Sequence, residues 1–160
     1  MKLHRRNESY LGFNLVIGTF SKDKGSKLFH YCNRGKKITL LENGVHGISN
    51  ASLNTDWPKV IKGKKAISRM LKKGKFSHDR CFEIMLDKKR AKDSLLPSTG
   101  VSLKRERELS SLFISTPTYG TKSTSIFSFN QDGKVSLSEL THLDCSAKQM
   151  QKYAFKLQEA

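Results

Sequence analysis

The dipeptide Trp57-Pro58 divides this chain into two kinds of pattern. Proline fits the first turn of a helix, where its missing N–H has no partner to lose, and it breaks a central strand. Upstream of it the apolar residues follow the period of a strand. Leu11, Phe13, Leu15 and Ile17 share one face of residues 11–20. Residues 21–26, with Gly25, have turn chemistry, and residues 27–33 return as the second arm of a hairpin. Residues 38–41 and 45–48 read as two more short strands around the Asn43-Gly44 turn signal. Residues 10–50 are therefore expected to form a β-meander.

Downstream the period changes. Val60, Ile61, Ile67, Met70 and Leu71 fall near helical spacing, with Asp56 as the expected N-cap and Gly74 as a natural stop. Ser77 is placed to cap a second helix over 78–90, whose Cys81, Phe82, Met85 and Leu86 form one stripe. These two helices make a pair over 57–91, followed by a loop over 92–108 rich in Ser, Pro, Gly and Lys. Strand signals return over 110–141, with Asn130-Gln-Asp-Gly133 as a hairpin turn. In the tail, Met150, Tyr153, Ala154 and Leu157 stand at i, i+3, i+4 and i+7, which predicts a helix over 146–158. The order gives one α+β domain over 1–160, with helices layered on antiparallel sheet.

Charge narrows the partners. Thirty Lys and Arg face 14 Asp and Glu in 160 residues, a formal net charge of +16. Such a balance concentrates anionic partners near the surface and says little about fold. The densest run, from Lys59 to Lys75, reads as a solvated cationic helix face, with a nucleic-acid or anionic-membrane surface as the alternatives. It lacks interleaved aromatics, so base stacking has no platform there and no specific nucleic acid is expected. No apolar run approaches the ~18 residues of a membrane span, so no transmembrane segment is expected. No apolar core follows the charged start, which argues against a secretory leader. Cys32, Cys81 and Cys145 are odd in number and far apart, arguing against a disulfide framework and for a reducing, cytoplasmic setting.

Patterns for a serine-hydrolase elbow, a P-loop, a dinucleotide fold or a zinc protease are absent from the sequence, and the five histidines stand singly. Two segments carry more information. In residues 44–59 a strand ends at Ser49-Asn50, ahead of Trp57-Pro58-Lys59. Asn50 either caps that turn or offers an N–H to a negative charge. In residues 119–124 the group Tyr119, Gly120, Lys122, Ser123 and Thr124 is either a polar start to a strand or an anion-friendly rim.

Taken in order, several pieces resemble one family: Gly12-Phe-Asn-Leu15, Cys32-Asn33-Arg34, Gly44-Val-His-Gly-Ile-Ser-Asn-Ala51, residues 53–59, Leu109-Ser-Ser-Leu-Phe113 and residues 119–124. This is similar to the NRDE family, also called the transport and Golgi organization family, and the likeness covers about residues 10–140. Members begin Met-Cys and carry an Asn-Arg-Asp-Glu motif ahead of the GFNL strand. Here Lys2 follows Met1 and the tetrad is missing, so the resemblance implies the C-terminal portion of a member. Lys122 stands where the family usually has arginine, which keeps the charge and loses the bidentate fork.

The resemblance implies an incomplete αββα fold like that of N-terminal-nucleophile hydrolases, with Asn50 near an oxyanion position and Lys122 as a charge stabiliser. An N-terminal nucleophile uses its own α-amino group as base, and all three cysteines here are internal. The chain is thus expected to be non-enzymatic, with roles in Golgi organization, protein secretion and heme or lipid trafficking implied by the family. An amidohydrolase is the alternative if a cysteine-bearing segment lies upstream; a basic nucleic-acid or anionic-membrane binder is another. No cofactor is fixed by the sequence. A heme or acyl-CoA-like anionic ligand would meet the cationic rim of Lys59, Lys62 and Lys122. The setting implied is cytoplasmic, with Golgi or mitochondrial association. A truncated scaffold would also leave residues 11–20 open, favouring self-association through exposed strands.

Overall fold

The computed structural model describes residues 10–21, 25–143 and 147–157. Two compact units divide the chain, residues 1–55 and 56–160. The α+β class holds: among the described residues there are two three-stranded antiparallel sheets, one in each unit, and helices in the second.

The first unit is built on β1 (Asn14–Thr19), β2 (Lys27–Cys32) and β3 (Lys37–Leu41), in that spatial order. Ile17 lies opposite Phe29, and Phe29 opposite Leu40, so the alternation in the sequence becomes one continuous apolar face. Part of that face is open, with Ile17, Phe29, Ile38 and Leu40 exposed, while Tyr31 on the same face is covered. His30 and Tyr31, successive residues on opposite faces of β2, are both buried. The expected strand at 45–48 does not form. Its backbone is claimed instead by Asn54, whose Oδ1 accepts from Gly47 N at 3.0 Å while its own N–H donates to Gly47 O at 2.7 Å. Asn54 reaches this position with a left-handed φ of 57°, a conformation that asparagine tolerates better than most residues.

The second unit opens with α1 (Pro58–Lys72) and α2 (His78–Met85). Pro58 occupies the first helical position and Trp57 the N-cap without a side-chain cap bond, one residue later than Asp56. Val60 and Met70 are the buried residues of α1, and Gly74, with φ of 61°, ends it. Ser77 caps α2 as expected, accepting from Arg80 N at 3.2 Å. That helix stops at Met85 rather than 90. The Asp87 carboxylate takes the Lys89 amide at 2.8 Å and Asp87 O takes Phe113 N at 2.9 Å, which turns the chain away from the helix axis.

The expected loop at 92–108 contains a 3₁₀ turn, Asp93–Leu95, and a helix, α3 (Leu103–Leu109). Ser102 caps α3 and an Arg105–Glu108 pair spans one turn of it, local signals outweighed in the sequence by the Pro-Ser-Gly content around them. The strand expected at 110–115 reduces to a single bridge, Ser115 to Gly120. Side chains satisfy its backbone instead: Ser111 Oγ donates to Phe113 O at 2.7 Å, and Ile114 N donates to Thr121 Oγ1 at 3.0 Å.

β4 (Ser123–Phe129), β5 (Lys134–Leu143) and β6 (Ala147–Lys156) form the second sheet in that order. The helix expected over 146–158 is therefore corrected to a strand. The i, i+3, i+4, i+7 pattern was real, but Tyr153 and Phe155 also alternate, and they pair opposite Leu137 and Val135 of β5. A ten-residue ladder along the free side of β5 satisfies more backbone than a short helix alone could hold in place. At the opposite face of this sheet, His78 ties α2 to the strands: Nδ1 meets Ser138 Oγ at 2.7 Å and Nε2 meets Ser128 Oγ at 2.9 Å.

Because Ser138 is buried, His78→Ala leaves its hydroxyl without the imidazole and should lower the stability of the second unit by about 1–3 kcal/mol. The exposed Lys92→Ala should stay within about 0.5 kcal/mol in the same thermal melts.

Candidate functional site

In the first unit, amide side chains bring distant segments together. Asn33, buried at the end of β2, accepts from Phe13 N at 2.7 Å through Oδ1 and donates from Nδ2 to Leu11 O at 3.1 Å. This extends the β1–β2 pairing beyond the ladder and carries Arg34 over Gly12, where any Cβ would collide with the Arg34 side chain. Asn14 does the same for the loop. Its Nδ2 donates to Ser49 O at 3.3 Å and Ala51 O at 3.1 Å. Its Oδ1 is then the acceptor for His30 Nε2 at 2.8 Å, which assigns the imidazole proton to Nε2. Burial pushes the His30 pKa below its ordinary value.

The outcome is a cleft of about 760 Å³ lined by Gly12, Asn14, Cys32, Arg34, Ser49, Asn50, Ser52 and Thr55, with Phe13, Gly35 and Ala51. Its volume falls within the range of small-molecule sites, roughly 300–1,000 Å³. Arg34 is the charged side chain among those lining residues, and it is exposed. Hydroxyls, amides and one guanidinium suit the anionic or strongly polar part of a ligand. Asn50, expected from the sequence, lines this cleft and is exposed.

The other expected residues lie in the second unit. Lys59 Nζ donates to Leu109 O at 3.1 Å and sits 5.6 Å from the centre of the Trp57 ring. Burial pushes its pKa down, and the Glu106 carboxylate opposes that shift. Glu106 is itself buried, accepting from Thr99 N at 2.8 Å and Thr99 Oγ1 at 2.7 Å. Lys62 pairs with Asp87, whose carboxyl is held below the usual range first by that bond and then by the Lys89 amide. Tyr119 lies under the Arg105 guanidinium, 4.6 Å from the ring centre. α3 thus links Trp57 and Lys59 on one side to Tyr119 on the other, through Leu109 and Arg105.

Gly120 is tightly placed: an added Cβ would stand 3.0 Å from Ile114 O, closer than most such contacts. Thr124 is buried with Oγ1 3.1 Å from His142 Nε2, and His142 packs edge-on against Phe113 with ring centres 4.7 Å apart. Ser123 and Lys122 are exposed, and Lys122 O accepts from His142 N at 2.8 Å. Of the expected cationic rim, then, Lys59 and Lys62 face partners inside their own unit while Lys122 points to solvent. Among the described residues no group of three or more His, Cys, Asp or Glu gathers to hold a metal. Burial pushes the Cys81 thiol up, away from a reactive thiolate, and Cys145 lies outside the described residues.

The segments joined by Asn14 and Asn33 are those through which the sequence resembles a known family. The sequence profile of the family described as Transport and Golgi organisation 2 matches residues 1–144. This chain belongs to that family. Relatives include the human Transport and Golgi organization protein 2 homolog, 27% identical over 168 aligned positions covering 98% of this chain and 61% of the human one. The bovine protein of the same name is 26% identical over 151 positions, 89% of this chain and 55% of its own length. The mouse Transport and Golgi organization 2 homolog is 26% identical over 168 positions, with 98% and 61% covered. The chain therefore spans less than two-thirds of the length of these relatives.

Asn14, Asn33, Arg34 and His30 were absent from the residues singled out by chemistry. The first three sit inside the quoted family pieces, and a strand-end asparagine paired with a Gly-Phe-Asn strand is the available signal. Glu106 left no such trace. A depressed His30 pKa means that the unfolded chain takes up the proton first as pH falls. Stability of the first unit is then fully present above the ordinary value near 6.5 and is lost as pH drops below it. His30→Gln, which keeps an N–H for Asn14, should flatten the fall in melting temperature between about pH 7.5 and pH 5. An unchanged slope would remove His30 as its source.

Proposed function

We propose that this chain is a non-enzymatic binding protein of the Transport and Golgi organisation type, serving Golgi organization and protein secretion. The cleft of the first unit takes the anionic part of a heme or acyl-CoA-like ligand. The observation that supports this reading is the cleft itself, where Arg34 lies over Gly12 beside Asn14, Ser49 and Asn50. A guanidinium among hydroxyls and amides favours carboxylate or phosphate groups over neutral ones. Family membership supports the cellular role, and the names of the relatives refer to transport and Golgi organization. Within this proposal the fold is the αββα scaffold of N-terminal-nucleophile hydrolases put to binding rather than cutting. Self-association through exposed strands belongs to it too, by way of the open face of Ile17, Phe29, Ile38 and Leu40.

Titration with hemin and with a long-chain acyl-CoA tests the ligand. Arg34→Glu should weaken binding by about 10- to 100-fold, the range expected for losing a charge-assisted hydrogen bond, while Lys122→Glu should change it little. Saturation that responds to Lys122→Glu alone would move the anion to the second unit, and a flat titration would remove both ligands. Hydrolysis of an amide by the purified chain would replace the non-enzymatic reading. In cells lacking their own family member, the chain should restore secretion and the Arg34→Glu variant should not.

A further inference from the structure

We propose that the turn joining α1 to α2 is a membrane-contacting tip that docks on an anionic phospholipid surface. Residues 69–80 hold five cations, Arg69, Lys72, Lys73, Lys75 and Arg80, against one carboxylate, Asp79. Arg80 is engaged by Glu83 at 2.7 Å, which leaves the lysines and Arg69 as the outward-facing charge. All of these cations are exposed. Set among them on the same turn are two large apolar side chains, Leu71 at 46% exposure and Phe76 at 51%. Such residues at the tip of a basic turn have nothing in water to gain from exposure, whereas the headgroup–acyl boundary accepts both the rings and the charges.

The turn is also held in shape. Gly74 N donates to Leu71 O at 2.9 Å and Lys75 N to Met70 O at 3.2 Å, closing α1 with a left-handed glycine. Beside it runs a groove of about 270 Å³ with Ala66, Met70 and Ile84 as its apolar lining, Arg69, Lys73 and Lys75 as its cations, and the paired Arg80 and Glu83 completing the wall. A lipid phosphate at its mouth would meet those cations while the acyl side faces Leu71 and Phe76. A nucleic acid fits less well. Leu71 offers no stacking surface, and Phe76 already packs against His78 with ring centres 6.1 Å apart and planes at 83°.

Co-sedimentation of the full chain with phosphatidylcholine vesicles, with and without phosphatidylserine as one lipid in three, tests the proposal. Binding should require phosphatidylserine and fall with salt. The triple variant Lys72→Glu, Lys73→Glu, Lys75→Glu should reduce partitioning by more than about a hundredfold, since each cation at an anionic leaflet contributes roughly fivefold. The double variant Leu71→Ser, Phe76→Ser should also reduce it, at unchanged net charge. In a Phe76→Trp variant, indole emission should shift to the blue on adding the anionic vesicles, after subtraction of the Trp57 signal from the parent chain. Equal binding to neutral vesicles, no response to the triple variant, or no blue shift would each overturn the proposal. So would tighter binding to single-stranded RNA that is indifferent to the Leu71 and Phe76 changes, which would mark a general polyanion surface.

Discussion

Asn33 places a side-chain amide where a strand would otherwise have ended in two unpaired backbone groups. By accepting from Phe13 and donating to Leu11 it makes β2 grip the chain ahead of β1, and everything at that end of the first unit follows. A buried amide with partners missing would be expensive, so this register is strongly favoured over a slipped one. Arg34 is carried over Gly12 as a consequence. Asn14, one strand away, acts in the same way, with both amide hydrogens on the 49–51 backbone and its oxygen on His30. The cleft is the space left between these bonded segments.

The second unit meets the same demand with hydroxyls, an imidazole and a carboxylate. Ser77 and Ser102 cap helices, His78 spans two strands through serines, and Glu106 holds Thr99 by both its amide and its hydroxyl. A buried carboxylate in a strongly cationic protein also shapes where the positive charge goes. Glu106 favours the charged form of the half-buried Lys59, and Asp87 draws in Lys62. Exposed cations cluster elsewhere, on the turn after α1 and again over residues 88–92. Net charge alone gives no hint of this partition, because it counts every lysine as equal.

Membership in the Transport and Golgi organisation 2 family rests on residues 1–144, and the structure gives those matched residues a physical meaning. The GFN piece supplies Gly12 and Asn14, the CNR piece supplies Asn33 and Arg34, and the SNA piece supplies the carbonyls that Asn14 binds together with Asn50. A cleft whose wall is drawn from widely separated segments is maintained by tertiary bonds rather than by any one element. Polar groups converge there with a guanidinium among them.

Short-range signals were readable. The strands β1 to β5, the Trp-Pro start of α1, the Ser77 cap and the glycine stop at Gly74 all follow from residues close in sequence, because period, proline geometry and capping act over one or two turns. Asn50, singled out in the sequence, lines the cleft, and Gly120 lies close against Ile114 O. What the sequence could not decide was which long-range partner a backbone would find. Residues 147–156 satisfied a helical pattern and a strand pattern alike, and only the vacant side of β5 made them a strand. Residues 45–48 and 110–115 had strand composition, yet Asn54, Ser111 and Thr121 took their hydrogen bonds first. Nor could the sequence say that Asn14 would reach Ser49 or that Lys59 would turn inward toward Leu109. Local propensity is worth fractions of a kcal/mol per residue. A buried donor or acceptor left unpaired costs about 1–3 kcal/mol, so where the two disagree the tertiary partner decides.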